Sequence, residues 1–199
     1  QVEGVNAILE AGKSYPLSHL AYALATAYGE TGRKMVPVEE NLRYSAARLQ
    51  QVFSSRRRQG IPASQLSYNP EMLANTVYGG DWGRENLGNY QPGDGWRFRG
   101  RGLPQTTGRR NYEKIKALTD IDVVSEPERM LGAEVASQSL FVAMENGLYT
   151  GRAFRHYLPA SGAGSRSHFR AARQIINGTF AADDYAGYAI GFQTALVAA

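Results

Sequence analysis

Apolar residues recur every three or four positions along most of this chain, the period of an amphipathic helix. Ser18 is placed to cap a helix running to about Glu30. Leu20, Leu24 and Ala27 share one face of it, and Gly32 is its stop. From 45 to 59 the repeat falls on Ala46, Leu49, Val52 and Phe53. Asn69 followed by Pro70 reads as a cap with proline in the first turn, opening a helix through Met72, Leu73 and Val77. Further helices fit 110–118, 132–147, 167–177 and 183–198. Alternating patterns are scarce, which leaves at most a small β-hairpin near 96–104. The predicted fold class is mainly α. A length of 199 residues suits one domain, 1–199, with a sizeable core.

The helical period breaks at 79–108. This stretch holds 9 of the 22 glycines and both tryptophans. A loop of that length inside a compact domain is uncommon and usually functional. Glycine lets backbone approach a ligand closely, and Trp and Arg beside it suit a sugar ring or an anionic group. Arg99 and Arg101 read first as anchors for this glycine-rich backbone and second as ligand contacts.

Composition removes several classes of chemistry. There is no cysteine, hence no disulfide scaffold, thiolate zinc site or cysteine nucleophile. The three histidines, His19, His156 and His168, show no HExxH spacing, so no metal is expected. No nucleophile elbow and no phosphate-binding loop is present. No run approaches the roughly 18 apolar residues that a membrane span needs. The net charge of +4 admits nucleic acid, an anionic membrane or an anionic polymer such as cell wall as partner, or is simply a solubility charge. The densest basic run, Arg56 to Arg58, reads as a solvated helix end rather than a nucleic-acid patch. The chain starts at Gln1 without a methionine, so the lack of a signal peptide carries little weight.

The carboxylates are more informative. Glu30 ends an apolar helical run, where partial burial would favour a protonated general acid. Glu40 follows ten residues later, and Pro37 prevents one straight helix from carrying both. The chain must turn between them, so the two carboxyls can face each other across a gap. Glycoside hydrolysis needs such a pair, one acid for the leaving oxygen and one base for water.

The segments AYALATAYGET, VEENLRYS, QPGDGWRFRGRGLPQTTGRRNY and QIINGT, in that order from about 18 to 196, resemble the glycoside hydrolase family 19 catalytic domain. Among its members the phage endolysins are the most similar, and the family shares a lysozyme-like fold with plant chitinases. The resemblance implies that Glu30, in the position of the family's H-E-[ST] motif, is the catalytic acid. It implies that Glu40 is the base, with Glu39 at the position usually held by Gln. Thr107 would help to hold the water. Gln105, Asn111 and Asn177 fall on amide positions that contact sugar. Tyr44, Tyr112, Trp96 and Arg101 are the further candidates for substrate contact. Three departures stand out: Gly29 replaces the family His, Pro104 and Thr106 replace aliphatic residues, and INGT replaces I-N-G-G.

The implied protein is an endolysin that hydrolyses β-1,4 bonds of bacterial peptidoglycan by inverting acid/base catalysis, without cofactor or metal. Its partner would be the glycan strand, not nucleic acid, with no stable membrane insertion and the chain a monomer. It would be made in the host bacterial cytoplasm and act on the wall, and a virion-borne or secreted route is equally open. The alternatives are a chitinase on the same fold and a non-catalytic wall-binding or virion module.

Overall fold

In the computed structural model, which describes residues 2–198, helices do account for most of the chain. They are α1 (Val2–Gly12), α2 (Leu17–Glu30), α3 (Ala46–Val52), α4 (Ala63–Leu66), α5 (Pro70–Val77), α6 (Gly80–Leu87), α7 (Asp94–Arg97), α8 (Arg109–Thr119), α9 (Ala133–Asn146), α10 (Arg166–Ala172) and α11 (Ala182–Ala198). A single antiparallel pair joins β1 (Val38–Glu39) to β2 (Arg101–Gly102), in the register Val38 to Gly102 and Glu39 to Arg101. The end residues of the expected 1–199 domain lie outside the described residues.

Helix α2 sits at the centre. Residues Ala21 to Ala27 are all buried, and four of those seven are alanine, so neighbouring helices can approach closely. Helices α1, α9, α10 and α11 pack around it through Ile8, Leu140, Phe141, Phe169 and Ala186. A second core joins α3, α4 and α5 through Leu49, Leu66, Leu73 and Val77. A third lies under α8, where Tyr112 and Ile115 meet Phe98, Val123 and Met130.

Several local expectations change. Helix α1 carries no signal used above. Ser18 is not a cap: α2 starts at Leu17 after Pro16, and the buried Ser18 hydroxyl donates to the Pro159 carbonyl instead. Ser45 does cap α3 by accepting from the Arg48 N–H, but that helix stops at Val52 rather than near 59. The arginine run that follows is no solvated helix end. Arg57 donates to the Val77 carbonyl and stacks on Trp82, while Arg58 reaches the carbonyls of Phe53 and Ile61. Asn69 caps α5 by accepting from the Met72 N–H.

The largest change concerns 79–108, which contains α6, α7 and β2 instead of a structureless loop. Glycine makes this compaction possible at two points. Gly88 ends α6 at φ 67°, and a Cβ there would lie 2.6 Å from Arg110 Cβ. Gly108 precedes α8 at φ 90°, and its Cβ would lie 2.7 Å from Leu87. The two helix ends therefore pack backbone to backbone, which only glycine permits. Instead of a hairpin within 96–104, β2 pairs with β1, and Arg101 closes a tight turn by exchanging backbone bonds with Thr106.

A buried ion pair fastens this segment. Asp94, 2% exposed, accepts from Arg109 Nε at 2.8 Å and Nη2 at 2.6 Å, and from the backbone N–H groups of Tyr90 and Gln91. Removing one partner leaves a buried charge uncompensated. Asp94→Ala is expected to cost about 3–5 kcal/mol in urea denaturation; a loss below about 1 kcal/mol would show that the pair does not hold the segment.

Candidate active site

The last residue of α2, Glu30, meets two donors at one oxygen. Its Oε1 accepts from Arg173 Nη1 at 2.8 Å and from the Tyr185 hydroxyl at 2.8 Å. Arg173 lies in the 3-10 turn after α10 and is 3% exposed; Tyr185 lies on α11. The surroundings expected to be apolar are thus organised by a buried cation. Glu30 itself is half-buried.

Glu40 leaves β1 and is held from a different part of the fold. Its Oε1 accepts from the Tyr78 hydroxyl at 2.6 Å and its Oε2 from the Gly100 N–H at 3.3 Å, while its own N–H donates to the Gly100 carbonyl at 2.8 Å. Burial, and then the Glu40 charge, push the Tyr78 phenol well above its ordinary range, so it stays a donor. Burial, and then the Glu40 charge, raise the Tyr44 phenol as well.

Gly100 is the point where three of the expected site residues, Glu40, Gln105 and Thr107, meet. A Cβ there would lie 3.0 Å from Gln105 Oε1, 3.3 Å from Glu40 Cβ and 3.3 Å from Thr107 Oγ1. Gln105 takes a left-handed conformation, φ 55°, and donates from Nε2 to the Val38 carbonyl at 2.8 Å. Thr107 donates to the Gln105 carbonyl, and Asn111 Nδ2 donates to the Thr107 carbonyl. Gln105, Thr107 and Asn111 line a cavity of about 330 Å³, closed by Asn86, Leu87, Arg110, Lys114, Leu148 and Tyr149. Thr106, at an aliphatic position of the resemblance, is fully buried, and its hydroxyl is satisfied by Tyr149 at 2.9 Å.

Four expected substrate contacts sit differently. Tyr112 is a core residue, 0% exposed; its hydroxyl donates to the Arg99 carbonyl, and burial pushes it up to about 12. Arg101 is 4% exposed and spends its guanidinium on Glu39, the Arg97 carbonyl and the Tyr112 hydroxyl. Trp96 is half-buried, with the Arg99 guanidinium 3.6 Å from its ring centre. Asn177 is exposed, and its N–H bonds the carbonyl of Arg173, the residue that holds Glu30. Arg173, Tyr185 and Tyr78 were not singled out from the sequence, because nothing local marks a donor whose carboxylate lies tens of residues away. Among the described residues, no group of three or more His, Asp or Glu side chains could hold a metal ion.

The chain was compared with known proteins. No family model matches it. Over 104 residues it is 35% identical to a glycosyl hydrolase family 19 domain-containing protein of Haemophilus influenzae. The resemblance is to glycosyl hydrolase family 19. The match takes in 52% of this chain and 50% of that relative, so the chain spans about half the relative's length. The crystal structure of a bacterial family 19 chitinase aligns with 95% of this chain and 84% of its own, at a TM-score of 0.43 and 17% identity.

Glu39, at the position where the family resemblance implies Gln, is paired with Arg99 at 2.9 Å and Arg101 at 2.6 Å. Burial alone would raise its carboxyl, but hydrogen bonds from the two guanidinium groups outweigh that and hold it below its ordinary 4.5. A depressed carboxyl adds stability above its unfolded value, and that stability is lost as pH falls through the lower folded value. The difference in Tm between wild type and Glu39→Gln should therefore be widest at neutral pH and close below about pH 4.5. A pH-independent gap in calorimetric scans would argue against this pairing.

Proposed function

We propose that this chain is a glycoside hydrolase of the family 19 type, with a lysozyme-like fold, acting on the β-1,4-linked glycan of bacterial peptidoglycan. The observation that carries the reading is the pair of carboxylates held by separate parts of the fold, Glu30 by Arg173 and Tyr185, Glu40 by Tyr78 and Gly100. The partial sequence match to a family 19 domain protein supports it.

In this reading Glu30 is the acid. Its Oε1 is engaged by two donors, which leaves Oε2 to carry the proton to the glycosidic oxygen as the bond to C1 breaks. Glu40 takes a proton from the water that attacks C1 on the opposite face, and the configuration inverts. Thr107 donates its own proton to Gln105, so its oxygen is left to accept from that water. Gln105 and Asn111 meet the sugar from the cavity wall. The enzyme works as a monomer on glycan strands of the wall, after synthesis in the host cytoplasm.

Mass spectrometry of borohydride-reduced fragments from purified peptidoglycan tests the substrate. Reduced muramic acid ends identify a muramidase, and reduced glucosamine ends a glucosaminidase. Cleavage of chitin oligomers alone transfers the activity to chitin; cleavage of neither polymer sinks the glycosidase reading in favour of a wall-binding module. Glu30→Gln is expected to abolish cleavage with an unchanged circular dichroism spectrum. Gly100→Ala should lower kcat at least about tenfold by pushing Gln105 and Thr107 apart; unchanged kcat would detach that cluster from catalysis.

A further inference from the structure

Gly29 precedes Glu30 in the last turn of α2. A Cβ built on it would lie 2.4 Å from Cζ, 2.5 Å from the hydroxyl oxygen and 2.6 Å from Cε1 of Tyr185. Real side chains do not approach so closely, so the space beside the α2 backbone belongs to the Tyr185 ring. That ring is 7% exposed and carries the Arg173 guanidinium at 3.9 Å from its centre. Arg173 is fixed in turn by its Nε bond to the Phe180 carbonyl at 3.1 Å. Tyr185 and Arg173 thus form one stacked unit, and both donate to Glu30 Oε1 at 2.8 Å. Among the described residues, no hydrogen bond engages Glu30 Oε2.

We propose that Tyr185 is a positioning residue for the acid of this site: its hydroxyl fixes the Glu30 carboxyl so that Oε2 faces the substrate, and Gly29 is the residue that admits its ring. Assigning Glu30 as the acid rests on the glycosidase reading; the contact itself does not. The ionisable groups that face Glu30 are Arg173 from the turn after α10, Tyr185 from α11 and the buried Tyr22 from α2. Burial, followed by the Glu30 charge, raises the Tyr185 phenol well above its ordinary range, so it remains a donor at any working pH.

Tyr185→Phe removes one oxygen and keeps the ring against Gly29 and Arg173. Losing a hydrogen bond to a charged group predicts a fall in kcat of about tenfold or more. KM should stay within about twofold. The carbon-13 resonance of the Glu30 carboxyl, recorded at one fixed pH, should move in Tyr185→Phe because Oε1 loses a donor. Unchanged kcat or an unchanged carboxyl resonance overturns the proposal. Gly29→Ala should also lower kcat, yet add no further loss in a Tyr185→Ala background; additive losses overturn the proposal as well. If wild type cleaves no glycan, the glycosidase reading fails, and the Glu30 carboxyl resonance alone then decides whether Tyr185 holds Glu30.

Discussion

A guanidinium that is 97% hidden from solvent must find a carboxylate or cost the fold several kcal/mol. Arg173 finds Glu30, and much of the geometry around the site follows from that one pairing. It ties the end of the central helix to the turn after α10. It fixes the Tyr185 ring by stacking, and so sets how α11 lies against α2. The Tyr185 ring meets α2 where the sequence has no side chain at all, at Gly29.

The other half of the site is built on different terms. Around Glu40 the donors are a phenol and a backbone N–H, and the neighbouring cations, Arg99 and Arg101, are spent on Glu39. Adjacent residues, one at the end of β1 and the next just beyond it, thereby diverge. Glu39 is neutralised by guanidinium groups at the β1–β2 pair, whereas Glu40 accepts from a phenol and a backbone N–H.

Periodicity made most of the helices legible, and the Asn69 and Ser45 caps could be read from residue type alone. The glycine-rich segment could not. Its helices α6 and α7 are poor helix formers by composition, and they are ordered by Asp94 and Arg109, fifteen residues apart. Tyr112 was misjudged although a signal existed: on the otherwise polar α8, Tyr112 and Ile115 stand three apart and share the buried face. Arg101 offered no such signal, since burial of an arginine depends on a carboxylate brought in by β1. Glu40 was read from its spacing to Glu30, and Gln105 and Thr107 through family resemblance. That these three meet around Gly100 is visible only once β1 and β2 pair.

The two donors that hold Glu30 lie 143 and 155 residues beyond it in the chain. Both carboxylates leave the ribosome long before either donor does. Until Arg173 and then Tyr185 emerge, Glu30 ends a helix without either of its donors. A nascent chain, or one cut before residue 173, therefore carries both glutamates without the arrangement that surrounds Glu30 in the folded chain.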